Sequence, residues 1–206
     1  MDFFLILLLI AIVWHVMRAR YQRERIAFLA RHLANMNLER HMETLTQGYS
    51  RAIHEESESR QRQVLETFLQ TESAVVTNVQ SLAKAMQKES APDTAMCPLP
   101  FCVPYVERVV PATSLRDFRA LLQIHAAGLR TAIANDAGND PKTRAFHIAA
   151  ELYLLQHSCH WFCKSRGVAD ARLLLRHKVE HKKVIESVTQ TTRVSYTRWL
   201  DGQDKA

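Results

Sequence analysis

At 206 residues with a net charge of +6, the chain is long enough for one good core, or for a stalk and a small domain. Five glycines and six prolines are too few for a β-rich fold built on turns, and aliphatic residues alternate with charges at helical spacing. The composition predicts an all-α protein, and it contains neither a glycine-rich phosphate loop nor a G-x-S-x-G elbow.

The chain opens on an almost wholly apolar run, Phe3 to Met17, followed at once by Arg18, Arg20, Arg23 and Arg25. At about 1.5 Å per residue this run rises roughly 22 Å, and extension through Ala19 with snorkelling arginines brings it near a hydrocarbon core of about 30 Å. Residues 1–19 are expected to form a single transmembrane anchor, with Phe3, Phe4 and Leu7 facing lipid and Trp14 at the interface. A cleaved signal peptide fits less well, because Asp2 precedes the run and no A-x-A pattern follows it. Cations gather on the cytoplasmic side of a span, so the N-terminus is expected outside and the body in the cytoplasm, at the inner membrane of a bacterial cell.

Residues 20–88 are expected to form a coiled-coil stalk. They contain no proline and one glycine, Gly48. Leu38, Met42, Leu45, Tyr49 and Ala52 keep heptad spacing. So do Leu65, Phe68, Val75, Val79, Leu82 and Met86 in a shifted phase, with Glu72 as the polar intruder. The polar stretch His54–Gln63 separates the halves and reads as a stutter. Such a stripe is expected to pair with a second copy as a parallel homodimer; the alternative is that it folds back onto the C-terminal domain.

Residues 89–112 hold five of the six prolines and form the linker. Within it, Cys97 and Cys102 stand C-x4-C without a second pair at a familiar distance, which favours a packed apolar segment over a zinc knuckle. Residues 113–200 read as an antiparallel helical bundle, ahead of a short tail, 201–206. Thr113 or Ser114 is expected to cap its first helix, which runs to about Asn135. Asp140 caps the second, with Pro141 at its first position and Gly167 at its end. The third runs from Asp170 toward Leu200.

Lys164 to Arg198 carries nine basic side chains against three acidic ones, so the remainder is close to neutral. Arg172, Arg176, Lys178, Lys182 and Lys183 form the densest part. A solvated face is the plain reading, with a membrane surface or protein partner as the functional one, and nucleic acid is not expected.

The bundle also gathers histidines and thiols. His177 and His181, spaced i, i+4, would share one helix face and grip one metal. Hairpin geometry sets Cys159 level with His177, while His157 and His160 point to other sides, and His125 lies in the stripe Leu121–His125–Leu129. One thiolate and three imidazoles suit a closed tetrahedral zinc site. The order His125, Cys159, His177-x3-His181 resembles the ligand set of the chemoreceptor zinc-binding domain, a cytoplasmic helical bundle. The resemblance covers at most Leu115–Val188 and implies a sensory role with zinc as cofactor. Cys159 and Cys163, near Lys164 and Arg166, offer a redox-responsive pair instead. Two further patterns are set aside: His177-x-x-Glu180-His181 lacks a distant carboxylate for a zinc peptidase, and His147-x3-Glu151 with His177-x3-His181, which is similar to the di-iron ligands of hemerythrin, lacks a final His-x4-Asp. The expected function is a membrane-anchored, non-catalytic interaction or sensory module with no small-molecule substrate. A redox- or metal-responsive regulator and a plain membrane scaffold are the alternatives.

Overall fold

The computed structural model describes residues 2–203. Helix α1 runs unbroken over Asp2–Leu33, since no proline or glycine interrupts it. It has two regimes. Phe3 to Met17 stand clear of the protein on every side, with Phe3 74%, Leu7 49% and Trp14 45% exposed. This helix is long and apolar enough to cross a membrane. From Tyr21 onward the same helix enters the body, burying Tyr21, Gln22, Arg25 and Leu29. Arg25 is the fastener. Its guanidinium donates to Phe162 O at 2.6 Å, Ala95 O at 2.8 Å and the Tyr21 hydroxyl at 2.9 Å. It also lies 3.8 Å over the Phe162 ring, so its charge is hydrogen-bonded and stacked where an unpaired one would be costly.

The segment expected to be a stalk turns back on itself. Asn37, in the left-handed region at φ 46°, ends the α1–α2 turn. Then come α2 (Leu38–Ile53), the short α3 (Glu58–Glu66, capped by Ser57) and α4 (Leu69–Met86). Helices α2 and α4 pack on each other, α2 also on α6 and α4 on α5. Leu45, Tyr49, Val75, Val79, Leu82 and Met86 are all fully buried inside the one chain. The stripe that suggested a parallel dimer is therefore already covered, and the phase slip at His54–Gln63 is a chain reversal rather than a stutter. Gly48 makes the reversal close: a Cβ there would stand 2.2 Å from the Phe68 ring.

The linker docks. Ala95–Met96 (β1) pairs antiparallel with Arg116–Asp117 (β2), Cys102 and Val106 are buried, and Trp161 Nε1 donates to Cys97 O at 2.8 Å. Helix α5 (Phe118–Ala134) begins later than expected: Asp117, not Thr113 or Ser114, accepts from the Arg119 N–H at 2.8 Å. Residues 112–114 instead form a turn of 3-10 helix. Helix α6 (Pro141–Cys163) starts as read, with Asp140 accepting from Lys142 and Thr143 N–H at 3.0 Å. It is the central helix, flanked by α1, α2, α3 and α5.

The last stretch is three helices rather than one: α7 (Arg166–His177), α8 (His181–Ser187) and α9 (Gln190–Asp201). Gly167 does not end a helix but opens α7. Its N–H donates to Pro100 O at 2.8 Å, and a Cβ there would stand 2.6 Å from that oxygen. Lys178 breaks α7 from α8 in the left-handed region at φ 56°. Thr189 caps α9 by accepting from Thr192 N–H at 3.4 Å.

Candidate functional site

A line of polar side chains runs through the apolar core along α6. Glu151, His157 and Ser158 on α6, His125 on α5 and Thr192 on α9 are all buried. Glu151 Oε1 accepts from the Thr189 N–H and hydroxyl at 3.1 and 2.9 Å. Gly128 makes room for this contact, since a Cβ there would meet Thr192 Oγ1 at 2.0 Å and Glu151 Oε2 at 2.7 Å. Ser158 Oγ donates to Leu154 O at 2.9 Å. That direction obliges His125 Nε2, 2.8 Å away, to be the donor to Oγ. His125 is thus the neutral Nε2–H tautomer with a bare Nδ1. Burial, helped by nearby His157, lowers its pKa from 6.5 to about 3.

The chemistry concentrates one turn further on. His157 Nε2 lies 2.8 Å from Asp170 Oδ1, on the second turn of α7. His181, the first residue of α8, places Nδ1 3.6 Å from the same oxygen. Its Nε2 is hydrogen-bonded to the Tyr196 hydroxyl at 3.0 Å. The two imidazoles stack at 3.9 Å between centroids and 16° between planes, with the Trp161 ring set edgewise to His157 at 6.2 Å. The His157 side chain is fully enclosed, that of His181 is 10% exposed and that of Asp170 40%.

Burial lowers the His181 pKa, and the charge His157 can carry lowers it further, against the pull of Asp170. For Asp170, burial opposes ionisation, but the His157 hydrogen bond and the fields of His157, His181 and Arg166 win and hold its pKa low. An ionised carboxylate therefore accepts the hydrogen bond of His157, with the His181 ring nitrogen 3.6 Å away. His157 Nδ1 has no hydrogen-bond partner among the described residues.

His157, Asp170 and His181 bring their ligand atoms within 4.8 Å of one another, a group that can hold a metal ion. Two imidazole nitrogens and one carboxylate oxygen are a donor set that zinc accepts, with a further position left over. Near-parallel rings send their lone pairs side by side, so one ion requires one ring to turn. A metal taken up by these atoms would have to displace protons from them, so its binding would weaken in acid.

Of the four expected ligands, only His181 belongs to this group. His125 is spent on Ser158. His177 Nε2 faces Gln156 Oε1 at 2.9 Å, with its ring 4.0 Å from Tyr153. The two histidines share no helix face, because the break at Lys178 lies between them. Cys159 and Cys163 are thiols among core side chains. Burial drives the Cys159 pKa far above 9.0, and drives Cys163 up to about 11 despite Arg25, Lys164 and Arg172. Few thiolates exist there near neutrality, which weighs against a fast redox pair. His157 and Asp170 escape the sequence reading for separate reasons: an idealised hairpin points His157 to another side, and Asp170 reads only as a helix start. The inward spacing Leu154–His157–Trp161 was the available signal.

The basic patch is partly engaged. Arg172 donates to His160 Nδ1 at 3.0 Å and Arg176 pairs with Glu43 at 3.1 Å, while Lys182 and Lys183 are exposed. A cleft of about 360 Å³ bordered by Gln156, His157, His160, Arg172 and Arg176 lies beside the site.

No protein-family model, curated protein or solved structure matches this chain.

Proposed function

We propose that the chain is a membrane-anchored, non-catalytic sensory or interaction module whose body holds a divalent metal ion, zinc first among candidates, at His157, Asp170 and His181. The observation that carries this reading is the continuity of α1. One helix bears an uncovered apolar sleeve over Phe3–Met17 and, four residues on, is fastened into the core through Tyr21 and Arg25. An anchor built this way moves with the body. The cluster ties α6, α7 and α8 at one point, so occupancy by a metal would cross-link three helices that share the core with the anchor. Its enclosure suits sensing or structural binding better than turnover of a substrate. Arg18, Arg20 and Arg23 on the body side of the sleeve favour a cytoplasmic body.

Elemental analysis of the full-length protein in detergent, beside His181→Ala, tests the metal. About one ion per chain in the parent, lost in the variant, supports the reading. A metal-free parent after incubation with excess zinc overturns it. A C-terminal alkaline phosphatase fusion tests the orientation: activity in the periplasm would reverse it.

A further inference from the structure

We infer that the proline-rich segment Pro98–Val110 is a second membrane contact, lying on the lipid headgroups of the bilayer that α1 crosses and inserting Leu99, Phe101 and Val109 among them. The inference rests on the reading of α1 as a membrane span.

If α1 spans, it fixes the level of the bilayer surface. The apolar run stops at Met17, and Tyr21 and Glu24 follow four and seven residues later, about 6 and 10 Å along the helix. The segment is held at that level by several independent contacts. The Tyr105 ring packs edgewise on Tyr21 at 5.1 Å. The Tyr105 hydroxyl donates to Glu24 at 3.2 Å, and the Tyr21 hydroxyl to Glu107 at 3.4 Å. Phe101 and Cys102 share a small hollow with Tyr21, Arg25 and Lys164.

The segment then divides its side chains by face. Cys102, Pro104 and Val106 are buried toward the body, whereas Leu99 is 44%, Phe101 56% and Val109 75% exposed. Three large apolar side chains left bare on one short segment call for a cover, and the cover fixed by α1 is lipid. Pro98, Pro100 and Pro104 have no N–H to leave unpaired in the interface. The surrounding charges agree: Arg18, Arg20, Arg23, Arg108 and Lys164 outnumber Glu24 and Glu107, which favours anionic headgroups.

The test uses the full chain in nanodiscs of zwitterionic and anionic lipid carrying a nitroxide at the upper acyl chain. Phe4, Phe101 and Phe146 are each replaced, one per sample, by trifluoromethyl-phenylalanine and read by fluorine NMR. Phe146 is the exposed comparison, sixteen residues from Phe162 along α6 and about 24 Å away on that helix. Broadening of the Phe4 and Phe101 signals with Phe146 left sharp supports the inference, and stronger broadening at Phe101 with anionic lipid supports the role of the cations. Broadening at Phe4 alone overturns the membrane contact while leaving the span intact, and would point to a protein or a second copy as the cover. A sharp Phe4 signal removes the span, and this inference with it.

Discussion

Replacing Glu151 by glutamine should make the protein less sensitive to alkali. The carboxyl is buried on α6 and receives two donors from Thr189 at 3.1 and 2.9 Å. Burial outweighs those bonds and raises its pKa from 4.5 to about 7. A folded-state pKa raised above the unfolded one means that the native protein keeps a proton the unfolded chain releases. The associated stability is fully present below pH 4.5 and is lost as pH rises through about 7. At about 1.4 kcal/mol per pH unit, the swing is about 3 kcal/mol. Glutamine keeps an oxygen for both Thr189 donors and has no proton to lose. Denaturant unfolding of the full chain in mild detergent, followed by tryptophan fluorescence from pH 4.5 to 8, should show the parent falling relative to Glu151→Gln by about 3 kcal/mol over that range. Every other titrating group is common to both proteins and cancels. Parallel curves for parent and variant would refute the reasoning.

Two further outcomes follow from single side chains. Arg144 binds Glu72 through both terminal nitrogens, and Glu72 also accepts from the Tyr49 hydroxyl. Arg144→Met should cost about 3–5 kcal/mol by stranding a buried charge, and Glu72→Leu added to it should restore most of that, as a denaturant double-mutant cycle will read. Lys178 sits at φ 56° between α7 and α8, so Lys178→Gly should raise stability by about 0.5–1 kcal/mol, or a few degrees in melting temperature; a fall would show that the lysine side chain matters more than its backbone.

What could be read from sequence was whatever one segment decides alone. The sleeve of α1 needs only length and apolarity, and Asp140-Pro141 needs only its own cap. The partner of an apolar stripe is not local. Leu45, Val75 and Val79 have the spacing of a coiled coil whether they face another chain or α5 and α6. Glu72 was the clue, because a buried carboxylate demands a cation, and Arg144 lies 72 residues away in sequence. The breaks at Asn37 and Lys178 contain no proline or glycine, so nothing in the sequence separated His177 from His181. One residue of left-handed backbone turns His181 toward His157 and Asp170 and leaves His177 on Tyr153, which helical spacing alone does not show.

The unbroken passage of α1 into the core also bears on how the protein ends its life. Proteases bind their substrates as extended strands, so cutting the body from its sleeve requires about ten residues of helix to unwind near Met17–Arg25. The body end of that stretch, Tyr21–Arg25, is held by the three hydrogen bonds of Arg25 and by the packing of Tyr21. Cutting the body from the apolar run at this junction is therefore coupled to opening of the core itself. A native chain should stay whole there, and a severed one marks a body that had already come apart.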